Sequence, residues 1–438
     1  MNIFEYPRDK ELIRDKLSGR KKLYDRGIID SVSKIFRQVE TDRDKAIIEL
    51  TEKFDNTRIR EIELRGTYID KAVKNIPESL RKAILHAKEN IEEVNRFLLP
   101  DKITTAEIRP GTIIGEKHTP LESVGLWVPA RKGTLISTAL MLIGSAKTAG
   151  VKNIYVGMAP TPEGIADKAT VAACKIAGAD KIFVGNGVGI IAGFSIATES
   201  IPEVDGIFGP GPGGIAAAMA LAFSYGKKTV LGIGPTDAAV ICDESADPDM
   251  LAYDLINEAE HGPDSSSILA TTSIETAKRT GEKLKEIIDS FPDEFRKANL
   301  NKVFGGEGYG AIIHAPSINE AIDVVNDYAP EHMIIKCDDG NKKIVLDNIK
   351  NAGEILIGDY APFSAGNYAI GITAVLPTNG FAKNISGISA KDMIKTSTIG
   401  QLDKQALEKL LPTISELGKW EGLPAHVLAA EKRFMGRG

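Results

Sequence analysis

Apolar residues recur every three or four positions through the first hundred residues of the chain, with many charged residues between them. The spacing is clearest over residues 31–54 and 76–97, where it predicts two amphipathic helices. From about residue 120 the pattern changes to short apolar runs that alternate with helical stretches. Because this alternation is typical of parallel strand–helix–strand units, it predicts an α/β fold.

The alternating region divides into two series of predicted elements. Strands of the first series are predicted at 123–128, 153–156, 181–184, 206–208 and 229–232, with helices at 137–149, 162–177 and 214–225. Strands of the second series are predicted at 239–242, 267–270, 310–314, 333–336 and 354–357, with helices at 248–260, 274–290, 319–328 and 342–350. Two such series indicate two similar halves. After residue 377 a loop rich in Gly, Asn and Ser leads to predicted C-terminal helices.

Composition and charge limit the class of protein. The chain has 438 residues, enough for two or three domains, and its formal net charge of −6 does not favour nucleic acid or an anionic membrane as partner. No apolar run approaches the roughly 20 residues of a membrane helix, and the N-terminus lacks a signal-peptide core. Cys174, Cys242 and Cys337 stand far apart in apolar stretches, so we expect reduced core residues in a cytoplasmic protein.

Glycine-rich turns follow several predicted strands, at residues 185–189, 209–214 and 232–234. Glycine allows the backbone to approach a phosphate, and the N-terminus of the next helix favours anions. Turns in any α/β fold also need glycine where φ is positive. Because no clean G-x-G-x-x-G with a downstream acid appears, these turns alone leave both interpretations open.

The sharpest local signal is Glu258 with His261, at the end of the predicted helix 248–260. Residues three positions apart share one face of a helix, and Glu-x-x-His is a metal-ligand pair in helical proteins. The position after the helix predicts a place near the C-terminal edge of the strands, where sites of α/β proteins gather. A solvated helix end with a histidine beside acids is the alternative interpretation.

A second signal is Glu331 followed by His332, just before the predicted strand 333–336. Histidine is suited to proton abstraction because its pKa lies near working pH. A polar pair at the start of a strand is also common without any function. His261, His332 and His426, which are three of the six histidines of the chain, each follow a glutamate within five positions.

Several motifs together resemble the histidinol dehydrogenase family, in order and from about residue 31 to 433. They are 198–211 (TESIPEVDGIFGPG), 259–265 (AEHGPDS), 330–335 (PEHMII), 364–366 (SAG) and 375–378 (VLPT). The resemblance implies two incomplete Rossmann-like domains with parallel sheets, N-terminal helices and a C-terminal helical segment swapped between the subunits of a homodimer. It also implies zinc and NAD, and a four-electron oxidation of the primary alcohol L-histidinol to L-histidine.

The resemblance also implies domain boundaries. They are an N-terminal arm at 1–26, a first Rossmann-like domain at 27–115 with 236–378, a second at 116–235, and the C-terminal segment at 379–438.

Site residues carry over position by position. His332 matches the general base, and Glu331 matches the residue that activates water in the second oxidation. His261 matches a zinc ligand, and His426 matches a ligand that the partner subunit supplies. Substrate contacts are matched by Ser137, Thr236 and Glu421.

Two further zinc ligands of the family are exchanged in this chain. Glu258 stands where the family has Gln, and Asn367 stands where it has Asp. One carboxylate and one amide oxygen are therefore still offered, together with two imidazoles. Because the formal charge of the ligand set is unchanged, we expect the metal to be retained.

Other departures concern substrate and cofactor. Ala374 and Phe363 replace an imidazole and a carboxylate of the family pattern, whereas Arg131 and Lys132 add positive charge. These changes favour an anionic or less charged alcohol, such as a sulfonated diol, over histidinol. The cofactor positions Trp127, Gly189 and Pro212 replace Tyr, Gln and Asn. A metal-binding homologue without dehydrogenase activity is a third hypothesis, against which the intact Glu331–His332 pair argues.

Overall fold

The computed structural model describes residues 3–19, 26–129, 134–211, 213–232 and 234–435. The chain divides into two compact units. The first unit consists of Met1–Leu98 and Leu121–Met393, and the second consists of Leu99–Pro120 and Ile394–Gly438. Both predicted Rossmann-like domains fall largely within the first unit, and their boundaries stay a prediction.

Strands and helices alternate through most of the described residues. The strands are β1 (Ile3–Glu5), β2 (Ile103–Arg109), β3 (Thr112–Pro120), β4 (Ser123–Val128), β5 (Asn153–Met158), β6 (Lys181–Val184), β7 (Gly206–Phe208), β8 (Lys228–Thr229), β9 (Asp237–Cys242), β10 (Ser266–Thr271), β11 (Ala311–His314), β12 (His332–Lys336), β13 (Glu354–Ile357) and β14 (Ile394–Leu402). The helices are α1 (Lys10–Ser18), α2 (Arg26–Asp55), α3 (Gly66–Asn75), α4 (Glu78–Leu98), α5 (Ile136–Ala149), α6 (Lys168–Ala177), α7 (Gly187–Ile196), α8 (Gly214–Ser224), α9 (Pro248–Ala259), α10 (Ile274–Asp289), α11 (Glu294–Val303), α12 (Ile318–Tyr328), α13 (Asp339–Asn348), α14 (Phe363–Tyr368), α15 (Lys404–Trp420) and α16 (Pro424–Glu431). Short 3-10 helices lie at Phe381–Lys383 and Ala390–Met393.

The first unit contains two parallel sheets. Sheet A has the order β1-β11-β10-β9-β12-β13, and sheet B has the order β6-β5-β4-β7-β8. In each sheet the first strand of a series has the next two strands on one side and the following two on the other, and β1 extends sheet A beyond β11. This is the doubly wound order of Rossmann-like folds, with a switch point between β9 and β12 and another between β4 and β7. The predicted α/β fold with two parallel sheets is confirmed.

The central strands β9, β10 and β12 of sheet A are buried on both faces because helices cover both sides of a parallel sheet. Consecutive residues of β9 therefore enter different cores. Ala238 and Val240 belong to one apolar cluster, and Ala239 and Ile241 belong to the other. Cys174, Cys242 and Cys337 are buried free cysteines, as expected.

The second unit contains an antiparallel sheet of strands β14, β3 and β2. Helices α15 and α16 also belong to this unit. None of these strands was predicted. Every residue of β2 is exposed, and β14 is exposed at seven of its nine positions, so neither carries the alternating apolar pattern that reveals a strand. Helix α7 was also missed, because it is apolar all round and therefore lacks an amphipathic period.

In the part of the chain that the structure describes, no helix is both long enough and apolar enough to span a membrane.

Phe194 tests the core of sheet B. Its ring lies beside Gly125 of β4, where an added Cβ would meet it at 2.6 Å, and it makes an edge-on contact with Phe183 at 5.8 Å between centroids. We expect Phe194→Ala to lower the free energy of unfolding by about 3–5 kcal/mol in urea titrations, because it leaves a cavity in a close-packed core. Phe223→Ala is the matched control, since Phe223 is 67% exposed, and should change it by no more than about 0.5 kcal/mol. Equal effects of the two changes would contradict this assignment of the core.

Candidate active site and metal centre

A cavity of about 510 Å³ opens within the first unit. One part of its wall is the start of α5 and the turn at Pro210, which follow β4 and β7 at the C-terminal edge of sheet B. Another part is Thr236, Glu331 and His332, at the N-terminal edge of sheet A. The cavity therefore joins the switch point of one sheet to the opposite edge of the other.

The edge at which His261 lies differs from the sequence prediction. Helix α9 follows β9 and returns across the sheet, so its last residues lie near the start of β10 rather than near the strand ends. His261 is therefore at the N-terminal edge of sheet A. The prediction of a C-terminal edge was wrong because it considered the end of the helix without the direction of the helix.

Glu258 is delivered to the cavity by the last turn of α9, which begins at Asp247 and Pro248, a side-chain cap followed by proline at the first helical position. Its side chain is only 1% exposed. Oε1 accepts hydrogen bonds from Nδ2 of Asn367 at 2.7 Å and of Asn257 at 2.9 Å. Oε2 lies 3.1 Å from Nε2 of His261, without hydrogen-bond geometry to any described residue.

This environment keeps Glu258 ionised. Burial disfavours the charged carboxylate, but the charge of His332, the approach of His261 and the amide of Asn367 outweigh burial and lower the pKa of Glu258 to about 2. Burial also lowers the pKa of His261, yet Glu258 more than offsets it, so that pKa is raised. A buried carboxylate with an unsatisfied oxygen fits a cation, with His261 and Asn367 as the neighbouring donors.

Among the described residues, no group of three or more His, Cys, Asp or Glu side chains is arranged to hold a metal ion. The donor set in the first unit is therefore mixed, because the amide of Asn367 stands beside Glu258 and His261.

His332 begins β12 and is buried at the cavity wall. Its Nε2 lies 3.5 Å from Oε1 of Glu331 and 3.8 Å from Oε2 of Glu258. Burial lowers the pKa of His332, but these carboxylates and Glu354 outweigh it and raise that pKa well above its ordinary value. The imidazole thus lies among carboxylates, in a position to exchange a proton with a molecule in the cavity.

Glu331 is buried and held by Asp237, the first residue of β9. The backbone N–H of Glu331 donates to Oδ1 of Asp237 at 2.7 Å, and the N–H of Asp237 donates to Oε2 of Glu331 at 3.2 Å. Burial raises the pKa of Glu331 to about 7, with His332 opposing and Asp237 and Glu258 adding to the rise. A carboxyl group with this pKa can serve as acid or base at neutral pH.

Glu354 is the site residue that sequence reasoning missed. Its Oε1 lies 2.5 Å from Nδ1 of His332, across the pair of strands β12 and β13. Phe363, which the sequence placed at the substrate, is fully buried and does not line the cavity. Its ring instead packs edge-on against His332, with 5.7 Å between centroids. The sequence signal for Glu354 was a charged residue opening an otherwise apolar strand.

The other predicted site residues are placed in different parts of the structure. Ser137, Thr236 and Ala374 line the cavity with Glu258, His261, Glu331, His332 and Asn367. Glu421 and His426 lie in the second unit, at the end of α15 and in α16, and both are exposed. Arg131, Lys132 and Pro212 lie outside the described residues.

The predicted cofactor positions that the structure describes are both buried. Trp127 is 3% exposed, and its ring lies against Gly187, where an added Cβ would meet it at 2.7 Å. Gly189 is buried in the first turn of α7 and faces Ile47 of α2. Neither residue offers a surface on which a nicotinamide or adenine ring could stack.

Known proteins resemble this chain over nearly its whole length. The family model described as histidinol dehydrogenase matches residues 18–434. Histidinol dehydrogenase from Methanosarcina mazei is 37% identical over 406 residues, which are 92% of each chain. That from Synechocystis sp. is 37% identical over 407 residues, 91% of each chain.

A solved structure agrees with these sequence matches. The crystal structure of histidinol dehydrogenase from Elizabethkingia anophelis superposes with a TM-score of 0.91 at 30% identity, covering 99% of this chain and 98% of the other. The chain therefore belongs to the histidinol dehydrogenase family.

Proposed function

We propose that the chain oxidises a primary alcohol by histidinol dehydrogenase-type chemistry, through an aldehyde to a carboxylate. The observation that carries the proposal is the buried His332, with Glu331 beside it, on the wall of a cavity that also contains Glu258 and His261. A base, a second carboxyl group and donors for a cation meet there, as this reaction class requires.

Glu258, His261 and Asn367 would hold a divalent cation, which we take to be zinc because of the family resemblance. When bound, the cation polarises the alcohol oxygen and lowers the pKa of the hydroxyl group. The amide nitrogen of Asn367 donates to Glu258, which leaves the amide oxygen as the donor atom for the cation. His426 of the partner subunit is the fourth ligand in this proposal.

His332 and Glu331 divide the proton transfers between them. Nε2 of His332 accepts the proton of the alcohol hydroxyl group in the first oxidation. Neutralising the charge of Glu258 would remove one cause of the high pKa of His332 and bring the imidazole towards its working range. Glu331, with a pKa of about 7, accepts a proton from the water that adds to the aldehyde in the second oxidation.

NAD is the proposed oxidant, and one molecule would supply the hydride acceptor for each of the two oxidations. Backbone groups at the switch point of sheet B, rather than stacking side chains, are the described features that fit NAD. The first turn of α5 lines the cavity at the switch point of sheet B, and that helix has no side-chain cap. The backbone N–H groups of that turn and the turn at Pro210 would hold the phosphates.

A homodimer with a swapped C-terminal segment is also part of the proposal. The second unit exposes large apolar side chains on its two helices, among them Trp420, Leu417 and Leu428, and Trp420 is 81% exposed. Exposed apolar groups of this size support a partner surface. The cytoplasmic location expected from the sequence remains a prediction.

The part of the substrate away from the reacting hydroxyl group would lie against a largely apolar wall. This wall favours an alcohol other than histidinol. Away from the charged residues the wall is formed by Ile84 of α4, Met141 of α5, and Ala374 with Val375. Among the described lining residues, cationic charge can come only from His261 and His332. An apolar wall suits an uncharged body, whereas the anionic alternative depends on Arg131 and Lys132.

The proposed exchange of carboxylate and amide between positions 258 and 367 can be tested through metal affinity. Glu258→Gln should weaken zinc binding by at least about tenfold, because it removes the carboxylate of the set. The double variant Glu258→Gln with Asn367→Asp should recover binding, with a coupling energy of about 1–3 kcal/mol between the two positions. Zinc affinity is measured by competition with a chelator. A double variant that binds no better than Glu258→Gln would refute the exchange.

The role of His332 can be separated from metal binding. We expect His332→Ala to lower kcat by about 10²–10⁴-fold, because general base catalysis is lost, while zinc per chain is unchanged. His314→Ala is the matched control, since His314 also contacts a glutamate across neighbouring strands but lies outside the cavity. Retained turnover in His332→Ala would exclude it as the base.

Substrate preference is tested with reduced nicotinamide absorbance. L-histidinol should be oxidised well below about 10 per second, and more slowly than an uncharged alcohol of similar size. Ala374→His, which restores the imidazole of the family pattern, should raise the rate with histidinol. Histidinol turnover near 10 per second in the unaltered chain would contradict the preference.

A further inference from the structure

Glu354 and His332 are paired by the register of sheet A. They are the first residues of β13 and β12, and they are direct partners in the parallel pairing of these strands. Partners in a parallel pair point to the same face of the sheet, so the backbone itself brings the carboxylate beside the imidazole. The N–H of Glu354 also donates to the carbonyl oxygen of Glu331 at 2.9 Å, which fixes the two strand starts together.

The two ring nitrogens of His332 meet acceptors at different distances. Nδ1 lies 2.5 Å from Oε1 of Glu354, whereas Nε2 lies 3.5 Å from Glu331 and 3.8 Å from Glu258. An N–H···O contact is strong near 2.9 Å or below and weak beyond about 3.3 Å. The closer contact at Nδ1 therefore favours a neutral ring that carries its proton on Nδ1.

We propose that Glu354 is a positioning residue, which holds His332 in the tautomer that leaves Nε2 free to accept a proton from a molecule in the cavity. This inference rests on the proposed role of His332 as the base. A carboxylate at Nδ1 also stabilises the imidazolium that forms when Nε2 accepts a proton. Without Glu354, the carboxylates near Nε2 would favour the opposite tautomer, with the proton on the nitrogen that must accept one.

The surroundings leave room for this carboxylate and hold the ring beside it. Oε2 of Glu354 is buried without a hydrogen-bond partner among the described residues. An added Cβ at Gly366 would lie 2.9 Å from it, so the absence of a side chain there makes room for the carboxylate. Phe363 packs against the ring of His332 from another side and restricts its rotation.

Glu354→Gln tests the proposal in the zinc-loaded protein, because it keeps the shape of the side chain but lets an amide N–H face Nδ1. We expect kcat to fall by about 10²–10⁴-fold while KM and zinc content stay nearly unchanged, since the wrong tautomer is stabilised. Chemical shifts of ¹⁵N in labelled histidine, at alkaline pH where the ring is neutral, should show Nδ1–H in the unaltered chain and Nε2–H in the variant.

Glu5→Gln is the matched control for this change. Glu5 lies 2.7 Å from Nδ1 of His314 and is its register partner in sheet A, but neither residue lines the cavity. It should leave kcat unchanged. An unaltered kcat in Glu354→Gln, with the unaltered chain active, would overturn the proposal and leave the proposed function intact.

Two other outcomes are separated by the ring spectra. If the unaltered chain oxidises no alcohol, the proposed function fails, and the tautomer of His332 still decides whether Glu354 fixes the ring. If Glu354→Gln does not fold, the ¹⁵N spectrum of the unaltered chain tests the proposal by itself, and Nδ1–H is the expected result. Finding Nε2–H there would overturn the proposal.

Discussion

Carboxylates buried at one edge of sheet A impose the main constraint on this structure. Glu258, Glu331 and Glu354 are all nearly inaccessible, and the imidazoles of His261 and His332 lie among them. Burying a charge is unfavourable unless it is paired, so these groups must share protons, hydrogen bonds or a cation. The lowered pKa of Glu258 and the raised pKa of Glu331 are two results of the same crowding. One carboxylate stays ionised and is suited to a cation, while the other can exchange protons near neutral pH.

The fold supplies this crowding through strand register rather than through flexible loops. His332 and Glu354 begin adjacent strands, and Asp237 begins the strand on the other side of His332. Asp237 binds the backbone of Glu331 and also accepts the N–H of Asn379 at 2.5 Å. Three strand starts are thereby fixed together at the edge that faces the cavity. Helix α9 adds Glu258 from its last turn, so Glu258, His332 and Glu354 stand on regular elements, which hold them more rigidly than a loop would. Glu331 and His261 lie one or two residues outside such elements.

Sequence patterns predicted most of the parallel strands because these are short apolar runs that are buried on both faces. The half-buried β1 was not predicted, and β8 shares only Thr229 with the predicted strand 229–232. They also identified Glu258, His261, Glu331 and His332, because motifs are local in the chain. Glu354 was not found, since its importance arises from pairing with a residue 22 positions away, and no local pattern reveals register. Phe363 was assigned to the substrate because sequence gives the residue type but not the direction of its side chain. Strands such as β2, exposed along their whole length, have no apolar period to detect.

The exchange between positions 258 and 367 is consistent with the geometry of the pair. Nδ2 of Asn367 donates to Oε1 of Glu258, so one partner is an amide donor and the other a carboxylate acceptor. A hydrogen bond can also form when the amide and the carboxylate trade places, because the amide at position 258 would then donate to the carboxylate at position 367. A change at only one of the two positions would leave either two carboxylates in contact or no carboxylate at all. The hydrogen bond therefore couples the two positions, and the proposed exchange would place the negative charge on α9 instead of α14 without changing its amount.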